Sequence, residues 1–532
     1  MDLDDGETPQ PLYAKADVCQ QLLTRYLRSS AVQHRHLCAA AAATRSIIEE
    51  SSLSLTPVSY FAAIITSIEN SNSLDSHAIG ALTSLLCIVL PLVGRGEINP
   101  DKAKDAVEVL MRKVEGCGGN LGTSGVRAAV QSVGGLIAEF YNLNEWDSVS
   151  PGFEWLVKLS LDRRPKVRKC AQECLFTIFK SFKSSSLFKR AGRLVYSMIK
   201  DRLPAVSKVI NSKIVGETER MLPEHQDVVH LLGLMKHAIP FLSPKFQMRM
   251  LPRLSKMFSY NIPVVITQVS DIMLSVLKTS GADIILSNSE EIFQTLVSYM
   301  SSGKGNSVDN IFPAATLSKT ALAKLHDGHM KEWTTYFPMV TGSLACHLCS
   351  DTEVAFKTSN ILREIIDDHF DEEMLLKIEN RLEDRPTEDA EFKIIQATCD
   401  TFYNVLINSS QLPSESLLDV ISFLFRKLGR TSGVFMEPII LKLAASMNIT
   451  ADAEKTMHLQ ECFGYAVSAM GPEKLLALLP ISFSINDLST KNIWLIPILE
   501  KNVSGSSLRF FLEHIVPLAK SFDKGSRKEW AR

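Results

Sequence analysis

The sequence predicts an all-α chain, an α-solenoid of stacked antiparallel helix pairs. Three observations predict it. Nearly every segment places its apolar residues at the 3.6-residue period of a helix. The breaks between segments are short and made of Ser, Asn, Gly, Asp or Pro, as in "NSNSLDS" and "GCGGNLGTSG". Nowhere does a sustained period-2 pattern meet hairpin turns. At 532 residues the chain is also too long for one compact core, so an array of helix pairs accommodates it better than a bundle.

The elements follow in order. Residues 1–15, opening "MDLDDGETPQP", are acidic and read as a flexible N-terminus without the apolar core of a secretory signal. Residues 16–523 read as the solenoid. "CAAAAATRSIIEE" (38–50), "VSYFAAIITSIEN" (58–70) and "GALTSLLCIVLPLV" (80–93) are helices in quick succession. "LLCIVLPLV" (85–93) is too short and too Pro-interrupted to span a bilayer. "EIFQTLVSYM", "VAFKTSNILREIIDDHF" and "SLLDVISFLFRKLG" continue the style, and 524–532 is a short C-terminal end. Composition is that of a soluble folded protein, 45% hydrophobic and 22% charged with net charge −2. Ten scattered cysteines in apolar helical patterns suit reduced thiols inside the cell.

"LDRRPKVRKC" (161–170) carries the most information. Pro165 marks a helix start, followed by a stripe of Val167, Cys170, Ala171, Cys174, Leu175 and Ile178. Lys166, Lys169, Glu173 and Lys180 fall on the solvated face, and Arg168 lies between the faces. "KDRLPAVSKV" (200–209) realigns on this stretch at an offset of 39, and Val126-Arg127 precedes Val167-Arg168 by 41. Such offsets fit a two-helix repeat of about 40–47 residues. The Asp-x4-Val-Arg pattern resembles the HEAT repeat of the armadillo-like superfamily. That resemblance implies that Asp162 and Arg168 belong to a polar ladder between repeats. A degenerate copy, "DTEVAFK", puts Asp351 and Lys357 in the same relation, with Phe356 at the Val position.

Charge is segregated along the chain. Residues 158–213 hold fifteen Lys plus Arg against three acids, whereas 364–391 hold twelve acids against three bases. The basic section reads as a surface for nucleic-acid phosphates, carried by Arg163, Arg164, Lys166, Lys169, Lys180, Lys183, Lys189, Arg190, Arg193 and Arg202. "RRPKVRK" also has the composition of a nuclear localisation signal, although it overlaps a helix.

No catalytic, cofactor-binding or metal-binding motif emerges. There is no GxxxxGK[ST], GxSxG or HExxH. "SGKGNS" (302–307) lacks phosphate-loop spacing and reads as a plain loop. Cys346 and Cys349 form a lone CxxC beside Leu344 and Leu348, expected to pack in the core. His34 and His36 in "QHRH" have no ligand partners in metal spacing. The expectation is a non-enzyme with no small-molecule substrate and no membrane segment.

Several longer stretches resemble the ribosomal RNA-processing protein 12 family: "SAVQHRHLCAAAAATRSIIEE", "RRPKVRKCAQECLFTIF", "MGPEKLLALLP" (470–480) and the Trp494–Pro497 element of "NIWLIPILEKNVSGSSLRFFLEHIVPLAKSF". The resemblance runs from about residue 25 to 523. It implies a HEAT/armadillo-like scaffold of the nucleus and nucleolus, with no catalytic residues, acting in pre-rRNA processing, pre-ribosome assembly and subunit export. Implied partners are pre-rRNA, pre-ribosomal proteins and, in an alternative transport-adaptor reading, Ran GTPase and nucleoporins. Family members are about twice as long, with a Lys-rich tail, so the chain resembles their N-terminal half: a fragment, a truncated gene model or a short isoform.

Overall fold

A computed structural model describes residues 17–530 apart from 73–74, 143–144, 184, 212–222, 261, 302–307, 351, 383–389, 409–411, 448–452 and 484–489; in some flanking stretches, such as 204–211, only the backbone is described. The 1–15 segment, the 302–307 loop and Asp351 therefore lie outside the described residues. The chain divides into two compact units, 1–247 and 248–532.

The first unit contains α1 (Val18–Tyr26), α2 (Val32–Glu50), α3 (Pro57–Asn70), α4 (Ser76–Val89), α5 (Pro100–Gly116), α6 (Thr123–Phe140), α7 (Trp146–Leu159), α8 (Pro165–Phe182), α9 (Leu187–Asn211) and α10 (Pro223–Ala238). Their starts follow local chemistry. The side chains of Asp17, Thr56, Asp75 and Asn99 accept backbone N–H groups at the helix openings, and Pro57, Pro100 and Pro165 take positions where no N–H is needed. The helices form two layers. One holds α2, α4, α6, α8 and α10, each against the next; the other holds α3, α5, α7 and α9.

Contacts between successive repeats measure the period. Thr83 Oγ1 donates to the Gly125 carbonyl 42 residues on, and Lys113 Nζ to the Ser71 carbonyl at the same separation. Cys170 and Cys174 Sγ reach back 43 and 44 residues to the carbonyls of Arg127 and Val130. The expected repeat length is therefore found. One expected copy is not: residues 200–209 lie inside α9, whereas 161–170 form the α7–α8 turn and the start of α8. The short window matched across non-equivalent layers.

α6 and α8 approach closely because Gly134 has no side chain. A Cβ there would sit 2.5 Å from Cys174 Sγ and 2.6 Å from Cys174 Cβ. The stripe read from the sequence, Val167 to Ile178, is buried against this neighbour and α7. Phe179 closes the far end. Its ring lies 5.7 Å from Phe153 of α7, 6.1 Å from Phe188 of α9 and 5.3 Å, stacked, from Phe241.

α11 (Pro244–Ser255) carries the chain onward. The second unit continues with α12 (Pro263–Thr279), α13 (Ala282–Leu286), α14 (Ser289–Ser301), α15 (Val308–Asp327), α16 (Trp333–Ala345), α17 (Thr352–His369), α18 (Glu372–Leu382), α19 (Ala390–Asn408), α20 (Glu415–Leu428), α21 (Ser432–Phe435), α22 (Glu437–Met447), α23 (Ala453–Met470), α24 (Pro472–Leu478) and α25 (Leu495–Asn502). Again there are two layers, α12–α15–α17–α20–α23–α25 and α14–α16–α19–α22. Among the described residues the sole strand pairing is a two-residue antiparallel ladder, Ser482–Phe483 with Thr490–Lys491.

The "MGPEK" block has a structural reason. Gly471 adopts φ +84° and ψ 157°, a region open essentially to glycine alone. Pro472 opens α24, and Glu473 Oε1 accepts the Ser507 N–H at 2.9 Å, tying the block to the chain after α25. Trp494 of the second block packs on Phe463 at 4.7 Å.

His369 is fully buried among Trp333, Phe337 and His326, with ring centroids at 5.1–5.3 Å. Its Nδ1 lies 2.8 Å from the Ile365 carbonyl, which makes Nδ1–H the donor. Burial pushes this imidazole below its ordinary value, the Ile365 carbonyl opposes that, and the charge of His326 adds to it. The folded state then binds fewer protons than the unfolded chain below about pH 6.5. The second unit should lose about 1 kcal/mol of stability per pH unit on acidification below that value, down to the lower folded-state value. Urea titrations at pH 7.5 and 5.5 check this. His369→Gln should flatten the dependence, and an equally steep profile would exclude His369 as its source.

Candidate nucleic-acid interface

α8 begins at Pro165 as expected, and its entry turn is stapled by charge. Asp162 Oδ1 accepts the Arg164 backbone N–H at 2.8 Å and Arg164 Nε at 2.9 Å, while Oδ2 accepts Nη2 at 2.9 Å. Arg168 Nη1 donates to the Asp162 carbonyl at 2.8 Å and to the Arg163 carbonyl at 3.3 Å. Burial alone would raise the Asp162 carboxyl. The Arg164 hydrogen bonds and the charges of Arg164 and Arg168 outweigh it and hold the group below the usual carboxylate range. The hydrogen bonds of Asp162 and Arg168 thus lie within one turn rather than between repeats. Arg168 reaches the next repeat through its charge, which adds to burial in pushing His230 of α10 below the ordinary imidazole value. Arg164, expected to be a phosphate contact, is the half-buried partner of Asp162.

The other nine candidate cations, Arg163, Lys166, Lys169, Lys180, Lys183, Lys189, Arg190, Arg193 and Arg202, are all exposed. Among the described residues no carboxylate lies in ion-pair range of Arg163, Lys180, Lys183, Lys189, Arg190 or Arg193. They do not share one surface. Lys166 and Lys169 sit on the exposed side of α8 in the even-numbered layer. Lys183 lies in the α8–α9 turn, and Lys189, Arg190 and Arg193 follow on the exposed side of α9, in the odd-numbered layer. Lys189, Arg193 and Lys200 fall within one stripe of α9, at 100° per residue. Arg202 is exposed on another side of that helix.

Sequence reasoning missed the environment of Lys166 and Lys169. They line a cavity of about 500 Å³ together with Tyr26, Arg127, Gln131 and Glu173. Arg127 had served only as a repeat marker. Its position one repeat period, 43 residues, before Cys170 was the signal available.

Three carboxylates of the acidic section are engaged by cations of neighbouring repeats. Lys319 of α15 meets Glu364 at 2.7 Å and Asp368 at 3.6 Å on α17. Lys427 of α20 meets Asp367 at 2.5 Å, and Arg363 meets Asp419 at 3.2 Å. The polar ladder expected around Asp162 thus occurs across α15, α17 and α20. Residues 383–389 of the section lie outside the described residues. In the degenerate copy, Lys357 pairs with Glu353 at 2.6 Å, and Phe356 is 59% exposed while Val354 and Ala355 are buried, so the helix is turned relative to the expected register.

Cys346 and Cys349 also differ from expectation. The chain tightens to a three-residue turn over Cys346–Cys349, which puts both thiols on one side, and that side faces solvent while Leu344 and Leu348 are buried. His34 Nδ1 instead meets Ser29 Oγ at 2.6 Å, and its ring stacks on Tyr26 at 4.1 Å. Among the described residues no three His, Cys, Asp or Glu side chains converge as a metal site, and no helix is long and apolar enough to cross a membrane.

Two family profiles agree with this architecture. A family profile described as "RRP12-like, N-terminal HEAT repeats" matches residues 4–284, and one described as "Ribosomal RNA-processing protein 12, HEAT repeats" matches 348–530. The RRP12-like proteins of Gallus gallus and Homo sapiens are each 22% identical over 516 residues, covering 93% of this chain and 37% of theirs. Ribosomal RNA-processing protein 12 of Saccharomyces cerevisiae is 22% identical over 432 residues, covering 75% of this chain and 34% of its own. The chain thus spans little more than a third of these relatives. Among solved structures, a chain from a complex of Kap95p with RanGDP aligns with TM-score 0.36 and 12% identity, covering 86% of this chain and 59% of that one. Importin beta aligns with TM-score 0.27 and 12% identity, covering 86% and 76%. On the profile matches and the two-layer repeat architecture together, the chain belongs to the RRP12-like family of HEAT-repeat proteins.

Proposed function

We propose that the chain is a non-catalytic HEAT-repeat scaffold of ribosomal RNA processing, acting in the nucleus and nucleolus on pre-ribosomal RNA and its proteins during assembly and subunit export. The names of its relatives support the pathway. The observation that carries the RNA contact is the open cationic edge of Lys183, Lys189, Arg190 and Arg193, exposed at the α8–α9 turn and along α9. An open helix face suits phosphate contacts without sequence readout. Engagement of the 364–391 acids by Lys319 and Lys427 leaves the alternative, an adaptor for Ran and nucleoporins, with less free negative charge to use.

Removing one phosphate-binding cation should make the salt dependence shallower by about 0.7 for single-stranded RNA. Reversing these four residues to Glu should weaken binding of a pre-rRNA segment about tenfold or more and reduce the log–log salt slope by about 3. Filter binding across a salt series reads both. An unchanged slope in a folded variant would remove α9 from the RNA interface.

A further inference from the structure

The geometry points to the even-layer groove of the first unit as a docking site for an extended protein segment, acidic at one end and apolar at the other. Two cavities make the groove. The first, about 500 Å³, lies across α4, α6 and α8, with Tyr26 and Leu37 at its α1–α2 end. The second, about 420 Å³, follows on α4 and α6. Both include Cys87 and Gln131, so one occupant can run through both.

Their chemistry differs along the run. The first cavity carries Arg127, Lys166 and Lys169 over a floor that includes Leu37, Ile88 and Ala128. The second is lined by Leu90, Pro91, Val93 and Phe140. Its own charges, Arg95 and Glu139, already pair with each other at 2.5 Å. Carboxylates would meet the three cations, with the Arg127 guanidinium able to hold one in a fork. Aliphatic side chains would fill the second half. Ser124 and Gln131 on the walls can satisfy main-chain amides and carbonyls, which an extended peptide exposes, and Ser84 Oγ, whose proton goes to the Gly80 carbonyl, can accept an amide.

The same walls argue against a nucleic-acid strand. Glu173 stands on the α8 face that bears Lys166 and Lys169 and would oppose a continuous run of phosphates, whereas a peptide N–H can donate to it. The floor is aliphatic and thiol rather than aromatic, and Tyr26, at one end, already stacks on His34. Base stacking, which sustains single-strand binding, has no series of rings to use. The groove is thus separate from the α9 edge, and its occupant is a protein rather than RNA.

Panning random dodecapeptides on the immobilised chain tests this. The expected result is enrichment of peptides with acids followed by aliphatic residues. Arg127→Glu with Lys169→Glu should weaken a labelled enriched peptide about tenfold. Glu173→Lys should tighten it, and reversal of Lys189 and Arg193 should leave it unchanged. Circular dichroism confirms folding of these exposed-site variants. No enrichment of that class, or binding indifferent to the Arg127 and Lys169 reversals, would overturn the assignment. So would an oligouridylate whose binding the Arg127 and Lys169 reversals weaken while peptide binding stays constant.

Discussion

Phe179→Ala should destabilise the first unit by about 3–5 kcal/mol, the range for truncating a buried aromatic. The ring is 2% exposed and touches Phe153, Phe188 and Phe241, which come from three other elements. The surroundings cannot collapse into the void from one side, because each neighbour is anchored in a different element. Part of the destabilisation comes from edge-to-face and stacked ring packing beyond simple area burial. Hydrogen exchange should show α7, α8 and α9 losing protection together while the second unit keeps its own. Exchange unchanged in α7 and α9 would show that the ring does not join the layers.

The second large effect is expected at Gly134. Gly134→Ala should raise helix propensity by nearly 1 kcal/mol yet cost a net of about 2 kcal/mol, because the added methyl meets the Cβ and sulfur of Cys174 below van der Waals distance. A backbone-attached Cβ cannot swing away, so α6 and α8 must separate. Cys174→Gly removes both clashing atoms but itself costs up to about 1 kcal/mol in helix propensity, so the expected sign of the clash is that Gly134→Ala loses most of its own cost in the Cys174→Gly background. Urea unfolding of the two single variants and the double variant gives the coupling. Additive effects would mean that Gly134→Ala costs the same with the Cys174 side chain absent, so that its cost does not come from the contact between these two residues.

Much of the architecture was legible from residues alone. The helical period, the short polar breaks, Pro165 as a helix start and the buried Val167–Ile178 stripe all come from local chemistry, which acts within a turn or two. The repeat length was legible from the Val-Arg recurrence. What the sequence could not supply was orientation across layers. "KDRLPAVSKV" matched in letters but lies inside α9, and Phe356 turned outward because Val354 and Ala355 took the core. The cationic section was legible as a sum of charges, but its partition was not. Asp162 claimed Arg164 through a two-residue loop geometry, and the groove that gathers Arg127 with Lys166 and Lys169 exists only once α6 and α8 are side by side.

The 42–66-residue spacing of the repeat contacts also bears on how the chain reaches this structure. In a chain of 532 residues, separations of this size are local. A helix pair needs its predecessor, not a distant segment, to cover its apolar face. Each repeat can therefore consolidate as it leaves the ribosome, and nucleation anywhere in a unit can spread to both sides.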